Sequence, residues 1–226
     1  MIEKNYGILN FNFIDKIIVK KRFEMLEILE QNINKSKLLS MLDIGTVDDD
    51  SLESSNFFLK HFKKINIRKS ISNQKINTQN FNMCLNKSIT SIFSKENLDD
   101  FKSDLVISSA TIEHVGNYTN QKKMLENIST LCNKVFFITT PNRFFPIDFH
   151  TKIPFIHMLP KRIHRSILRL IGLNEYAKEE NLNLMSKRDI EKLVDEKKND
   201  FNIKIFKIKL FGFISNFIIL GVNKNL

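Results

Sequence analysis

An aspartate and a glycine, Asp43 and Gly45, stand one residue apart directly after the apolar run Leu38–Leu42. A hydrophobic strand that runs into Asp-x-Gly, and then through a loop into a helix, is the usual start of a nucleotide-binding α/β fold. A full glycine-rich fingerprint would also have glycine in place of Val47 and Asp49. Because a pyrophosphate must approach the bare backbone of such a loop, these side chains argue against a dinucleotide ligand.

Two pairs of neighbouring acids and histidines could move protons near neutral pH. Glu113 and His114 follow a second apolar run, and Asp148 and His150 lie two residues apart, so that both point to one side of an extended chain. We predict catalytic or acceptor-site roles for His114, His150 and Asp148, since histidine is a suitable general base. A structural hydrogen bond at a helix start is the alternative for His114, and a network that fixes a proline-rich loop is the alternative for Asp148 and His150. The spacing of histidines and cysteines predicts no metal site.

The positive charge of the chain indicates an anionic partner. With 35 Lys and Arg against 25 Asp and Glu, the formal net charge is +10. Arg162, Arg165 and Arg169 repeat at helical spacing and form one face of a predicted basic amphipathic helix. This face fits an anionic acceptor, an acidic membrane surface, or the solvated side of a helix that packs by its apolar residues, and the sequence leaves the three open.

The expected location is the cytoplasm, with peripheral contact to the inner face of the membrane as a further possibility. Cys84 and Cys132 fit no disulfide framework. The first residues lack the charged-then-apolar pattern of a signal peptide. The longest apolar stretch, Phe211–Val222, is interrupted and too short to span a bilayer.

The elements that must position these residues alternate between strands and helices, which predicts an α/β doubly wound sheet, Rossmann-like and mostly parallel. The last two predicted strands, Phe201–Leu210 and Phe217–Val222, are joined by a turn at Gly212 and must therefore form an antiparallel hairpin. The whole chain, 1–226, is expected to form one domain, with an N-terminal helical segment at 1–36 and a helical acceptor-side insertion at 141–198. The other predicted elements are helices at Ile14–Ile33, Gln121–Leu131, Arg162–Leu170 and Lys187–Lys197, strands at Leu38–Ile44, Ile65–Ile71, Leu105–Ser108 and Val135–Thr139, a short strand near Ile89–Phe93, and a helix capped by Ser51.

Four segments, in order, resemble the class I S-adenosylmethionine-dependent methyltransferases. They are Met41–Gly45, Asp104–Val115, Val135–Arg143 and the terminal hairpin with Ser215-Asn216. The stretch Thr-Pro-Asn-Arg-Phe-Phe-Pro-Ile-Asp-Phe-His-Thr at 140–151 is similar to a bacterial subset of these enzymes, which carries a distinctive insertion after the fifth strand. The resemblance implies the seven-stranded methyltransferase sheet and S-adenosyl-L-methionine as cofactor.

The resemblance also assigns cofactor-binding roles. Asp43 is expected to accept from the cofactor's amino group, and Gly45 lets the backbone pass close to it. The family has an acidic residue after the second strand that binds the ribose, and here Asn73 stands in that region as a weaker neutral partner. The remaining cofactor-binding predictions are Thr46, Ser109 and Glu113; for Glu113, a helix N-terminal acid is the alternative.

The predicted activity is methyl transfer to a small-molecule or cell-envelope-linked acceptor, which includes lipid- and saccharide-linked compounds. A nucleic-acid methyltransferase or RNA-binding module is one alternative, although the chain has no Asn-Pro-Pro-aromatic motif of base methylation, so nucleic acid is not the expected partner. A non-catalytic scaffold with the methyltransferase fold is the other alternative, motivated by the missing glycines and the missing ribose acid.

Overall fold

The computed structural model describes residues 11–34, 37–48 and 52–224, apart from the side chains of 11–14. Among these residues a seven-stranded sheet is flanked by six α-helices. The strands are β1 (Ser40–Ile44), β2 (Ile67–Ser72), β3 (Met83–Asn86), β4 (Ser103–Ser109), β5 (Cys132–Pro141), β6 (Phe201–Leu210) and β7 (Phe213–Asn223). The helices are α1 (Phe11–Asn32), α2 (Phe57–His61), α3 (Lys95–Phe101), α4 (Tyr118–Leu131), α5 (Lys161–Leu170) and α6 (Lys187–Asp195).

The sheet has the strand order β3-β2-β1-β4-β5-β7-β6. Strands β1 to β5 pair in parallel, whereas β7 pairs antiparallel with both β5 and β6. The predicted fold, a mostly parallel doubly wound sheet that ends in an antiparallel hairpin, is therefore confirmed. Gly212, with φ +83°, lies in the turn of this hairpin as predicted.

The third strand was predicted in the wrong place. Ile89 and Phe93 are buried, but they lie in a loop, and Ile92 between them is 81% exposed. The true third strand, Met83–Asn86, lies at the edge of the sheet, where it contacts a single neighbouring strand. Ser51, the predicted cap of the helix after β1, lies outside the described residues, and the boundaries of the predicted insertion at 141–198 stay a prediction.

Two apolar layers cover the two faces of the sheet. Side chains alternate along each strand, so that Leu105 and Ile107 face one layer and Val106 faces the other. The first layer contains buried residues of α1 and α2, and the second contains those of α4 and α6. Within the described residues, no helix is both long and apolar enough to cross a membrane.

Candidate active site

The candidate site lies at the carboxyl edge of the parallel strands, where β1 meets β4. These two strands are neighbours although two strands separate them in sequence, and Ile44 pairs with Ser108. The chain after β1 turns to one side of this point and the chain after β4 turns to the other. In open α/β sheets, ligands bind in the crevice that forms at such a change in strand order.

Gly45 is required by the loop that leaves β1. Its φ of +87° is a conformation that residues with a Cβ rarely adopt. A Cβ on Gly45 would also lie 2.3 Å from Oγ1 and 2.8 Å from Cγ2 of Thr111. The Thr111 hydroxyl bonds the carbonyl oxygens of Ile44 and Ser109, so it is held against this loop from the β4 side.

Asp43 is buried below the loop and interacts with Thr46 and Arg22. Thr46 Oγ1 donates to Asp43 Oδ2 at 2.5 Å, and the same hydroxyl lies 2.7 Å from Ser70 Oγ. Burial raises the pKa of the Asp43 carboxyl to about 6, and the Thr46 hydrogen bond and the charge of Arg22 oppose the shift. The Thr46 side chain is thus occupied by hydrogen bonds within the protein.

Arg22, on α1, is a charged residue at this site that the sequence analysis missed. Its burial lowers the guanidinium pKa, while the carboxylates of Asp15, Asp43 and Glu113 act in the opposite direction. In the part of the chain that the structure describes, no salt bridge ties Arg22 to any of the three. The sequence did hold a signal, because Arg22 interrupts the stripe of buried residues that runs from Val19 to Met25 on α1.

The end of β2 holds the β1 loop in place. Ser72 Oγ donates to the backbone oxygen of Thr46 at 2.8 Å, and Asp48 accepts from the amide of Asn77 at 2.7 Å. Asn73, the predicted ribose partner, follows directly and is exposed at the same edge of the sheet. Asp49, which replaces the last glycine of the fingerprint, lies outside the described residues.

The turn after β4 places Glu113 in the protein interior. Ser109 Oγ lies 3.2 Å from Thr139 Oγ1 on β5, and a short 3-10 helix then spans Ile112–His114. Glu113 is fully buried, and its Oε2 accepts from Thr140 Oγ1 at 2.9 Å. Its Oε1 has no hydrogen-bond partner among the described residues. A buried carboxylate oxygen without a partner is energetically unfavourable, which makes Glu113 a candidate functional residue.

His114 and His150, 36 residues apart in sequence, meet beside Glu113. Their Nε2 atoms lie 3.1 Å apart, and His150 Nε2 lies 4.0 Å from Glu113 Oε1. His114 Nδ1 donates to the backbone oxygen of Asn181 at 2.6 Å. His114 is exposed and His150 is half-buried, so the group opens to solvent.

Asp148 orients His150. Its Oδ1 accepts from the His150 backbone amide at 3.0 Å and lies 3.1 Å from His150 Nδ1, and its Oδ2 accepts from Thr151 Oγ1 at 2.7 Å. Burial alone would raise the pKa of this carboxyl, but the hydrogen bonds and charge of His150 and the Thr151 hydrogen bond bring it below its usual range. The structure therefore brings the three predicted catalytic residues, His114, His150 and Asp148, into one hydrogen-bonded group that also fixes the loop.

The predicted basic helix, α5, has an unexpected exposed face. Its buried positions are His164 and Leu168, and Arg165 pairs with Glu179. Ile163, Leu170 and Ile171 are 50%, 85% and 51% exposed, so much of the apolar side does not pack against the protein. Lone apolar side chains are common on surfaces, but here three lie on one ten-residue helix and the residue that follows it. Arg162 and Arg169 are exposed on the same helix.

Comparison with known proteins supports the fold. No protein-family model matches the sequence, and no curated protein matches it. The N-methyltransferase NodS from Bradyrhizobium japonicum WM9 is similar with a TM-score of 0.53 and 8% identity, over 90% of this chain and 96% of that chain. The magnesium protoporphyrin IX methyltransferase ChlM from Synechocystis PCC 6803, solved with bound S-adenosylmethionine, is similar with a TM-score of 0.51 and 12% identity, over 97% and 87%. At such identities the similarity establishes architecture alone, and the chain has the fold of the class I S-adenosylmethionine-dependent methyltransferases.

Proposed function

We propose that this chain is an S-adenosylmethionine-dependent methyltransferase that acts on a small-molecule or cell-envelope-linked acceptor. The observation that carries the proposal is the position of two groups at one edge of a methyltransferase-type sheet. The Asp43–Gly45 loop ends β1, and the Glu113–His114 turn with His150 lies after the adjacent strand β4. The first group suits a cofactor and the second suits an acceptor whose proton must be removed.

The first group offers partners for the amino-acid end and the ribose of the cofactor. S-adenosylmethionine supplies a sulfonium-bound methyl group and has no phosphate, so the side chains of the loop do not exclude it. Asp43 can accept from its ammonium group, and the cationic Arg22 can pair with its carboxylate. Gly45 lets the backbone approach, and Asn73 can bond the ribose hydroxyls. Ser109, at the end of β4, and Thr46, in the loop after β1, are the remaining proposed contacts.

The histidines are suited to receive the acceptor's proton. When a hydroxyl oxygen attacks the methyl carbon, the carbon–sulfur bond breaks and the oxygen must lose its proton. His150 has its Nδ1 on Asp148, which leaves Nε2 as the basic atom, and His114 has the same arrangement with the Asn181 carbonyl. A positioned base of this kind contributes about 10²–10⁴ to the rate.

Binding of the demethylated product tests the proposal. S-adenosylhomocysteine should bind in isothermal titration, and its affinity should rise by about tenfold from about pH 5 to about pH 7. The reason is that Asp43, with a pKa of about 6, must ionise to accept from the ligand's ammonium group, which stays charged over this range. Asp43→Asn should bind more weakly at pH 7 and show a flat profile.

Folding must be checked at each pH, because the same pKa shift also affects stability. The folded chain holds the Asp43 proton more tightly than the unfolded chain does, so this group favours folding below about pH 4 and that contribution is lost as the pH rises through about 6. Thermal unfolding measured beside each titration separates the two effects. If the folded protein takes up no S-adenosylhomocysteine at millimolar concentration, the enzymatic proposal fails and the scaffold alternative replaces it.

The exposed apolar and basic side chains on and next to α5 support the proposal of an envelope-linked acceptor. Ile163, Leu170 and Ile171 could enter the interfacial region of a bilayer while Arg162 and Arg169 contact anionic headgroups. The expected result is sedimentation with phosphatidylglycerol vesicles, weaker binding to phosphatidylcholine vesicles, and release by salt.

A matched pair of substitutions checks the vesicle result. Leu170→Glu should lower the affinity for phosphatidylglycerol vesicles by about tenfold, since it removes an apolar contact and adds a like charge. Ile92→Glu makes a similar change at an equally exposed apolar residue outside α5 and should leave binding unchanged. Equal losses in both variants, or no binding by the wild type at low salt, would contradict the membrane contact.

A further inference from the structure

We propose that Glu113, His114 and His150 form a binding site for a divalent transition-metal ion, of which zinc is the expected example. One ligand atom from each residue lies within 4.8 Å of the other two. Two imidazole nitrogens and one carboxylate oxygen are a donor set that suits zinc and similar ions. The proposal departs from the sequence analysis, which predicted no metal because these residues follow no recognised spacing.

The hydrogen-bond partners of the two histidines give the first argument. The partner of His114 Nδ1 is the Asn181 carbonyl, and the partner of His150 Nδ1 is Oδ1 of Asp148, which also accepts from the His150 backbone amide. Both partners only accept hydrogen bonds, so each Nδ1 carries the hydrogen. In neutral imidazoles, both Nε2 atoms then present lone pairs to each other at 3.1 Å. Two facing lone pairs repel, and a positive ion between them removes the repulsion.

The distance between the two nitrogens fits a shared ion. With zinc–nitrogen bonds of about 2.0–2.1 Å, two ligands at a right angle lie about 2.9 Å apart and two at a tetrahedral angle about 3.3 Å apart. The observed separation of 3.1 Å falls between these values. The separation of the two nitrogens therefore does not need to change for one ion to bind both.

Glu113 supplies the third ligand and an independent observation. The side chain is fully buried, and Oε1 is the carboxylate oxygen that lacks a partner among the described residues. This atom lies 4.0 Å from His150 Nε2, while Thr140 holds the other oxygen. An approach of about 0.7 Å would bring Oε1 to the distance from His150 Nε2 that two tetrahedral ligands of one ion have. Ion binding therefore satisfies an atom that the fold leaves unsatisfied.

The surroundings resemble those of catalytic rather than structural metal sites. Asp148 accepts from the ring nitrogen of His150 that faces away from the ion, which is the usual support of a histidine ligand. Three protein ligands come together among the described residues, and His114 is exposed, so further coordination positions would face the solvent. With both Nε2 atoms bound to the ion, the histidines would not act as the base themselves. This step rests on the proposed methyl transfer: an acceptor hydroxyl bound to the ion would lose its proton more readily, because the ion lowers its pKa. The site would thus select acceptors with a metal-binding oxygen.

Metal titration tests the proposal without any cofactor or acceptor. The full chain, with any affinity tag removed and treated with chelator, should bind about one equivalent of Zn²⁺ with a dissociation constant in the micromolar range or below. Co²⁺ should give the visible absorption of a low-coordinate nitrogen and oxygen site. Mg²⁺ should bind far more weakly, since it prefers oxygen ligands.

Variants locate the ion. His114→Ala and His150→Ala should each weaken zinc binding at least about 100-fold, and Asp148→Asn should weaken it about 10–100-fold. His61→Ala is the matched control, because His61 lies on α2 against Phe23 and Phe57 and should not affect zinc. Circular dichroism and cooperative melting confirm that each variant is folded, and the isosteric Glu113→Gln gives a second measure of binding loss if an alanine variant unfolds.

Two outcomes would overturn the proposal. One is a folded wild-type protein that takes up no zinc, which would mean that a proton alone bridges the two imidazoles. The other is zinc binding that persists unchanged in His114→Ala/His150→Ala. Because S-adenosylhomocysteine binding is measured separately, failure of the metal site and failure of the proposed methyl transfer give different results.

Discussion

Gly45→Ala is expected to reduce the affinity for S-adenosylhomocysteine by more than about 100-fold and to destabilise the protein by about 3 kcal/mol. Two separate effects add. An alanine at φ +87° carries backbone strain of about 1–2 kcal/mol. Its Cβ would also lie 2.3 Å from Thr111 Oγ1, a separation that forces one of the two to move.

The displaced Thr111 explains why binding is lost together with stability. Thr111 directly precedes the 3-10 helix Ile112–His114, which carries Glu113 and His114. Its hydroxyl also bonds the carbonyl oxygen of Ile44 at the end of β1. Movement of Thr111 therefore opens the junction between β1 and β4 on both sides of the crevice. A loss of 100-fold corresponds to about 2.7 kcal/mol of binding free energy.

Gly172→Ala is the matched control. Gly172 has a similar φ of +81°, but a Cβ there would meet no atom within 4 Å. It should cost only the backbone strain, about 1 kcal/mol, and leave S-adenosylhomocysteine binding intact. Urea unfolding and isothermal titration give both quantities for both variants. Equal destabilisation by the two substitutions would show that the contact with Thr111 has no energetic role.

Gly45 also shows why the start of the sheet could be predicted from the sequence. The Asp-x-Gly pattern expresses a backbone requirement at one position, and that requirement is local. The final hairpin could be predicted for a similar reason, since a short connection permits only antiparallel pairing. The third strand could not, because an edge strand such as Met83–Asn86 is half-exposed and the more apolar Ile89–Phe93 lies close by.

The residues of the candidate site could be predicted from the sequence, but their arrangement in space could not. His114 and His150 were both selected for their chemistry, yet their meeting depends on the path of the chain between β5 and α5, which no local pattern encodes. The same path gives Asp148 its partners. Arg22 was missed because a single charged residue within an apolar helix stripe has no chemical meaning until the neighbouring carboxylates, Asp43 and Glu113, are located in space.

Glu113→Gln and Asp148→Asn make the same chemical change at two buried carboxylates and should have opposite effects. In the absence of metal, Glu113→Gln should raise the free energy of unfolding by about 1–2 kcal/mol, because it removes a buried charge that has an unpartnered oxygen. Asp148→Asn should lower it by about 2–4 kcal/mol, because both Asp148 oxygens accept hydrogen bonds and the fold favours its ionised form.

The positive charge of Arg22 is the main effect that opposes the stabilisation by Glu113→Gln. Arg22 lies near Glu113, but it is shared with Asp15 and Asp43, and both of these remain after the substitution. The desolvation of a buried carboxylate costs several kcal/mol. We expect this cost to exceed the lost attraction between Arg22 and Glu113, because Asp15 and Asp43 still attract Arg22 in the variant. Urea unfolding in the presence of chelator measures the difference for both variants.

With zinc present, the wild type should have a higher free energy of unfolding than Glu113→Gln, the reverse of the order expected without metal. An ion that binds only the folded protein adds about 2.7 kcal/mol at a concentration 100 times its dissociation constant, and the variant that lacks a ligand gains less. A buried carboxylate that lowers stability until an ion binds would fit the common trade of stability for activity at active sites. If Glu113→Gln is instead less stable than the wild type without metal, the fold itself stabilises this charge, and the unpartnered oxygen is no longer a reason to expect an ion.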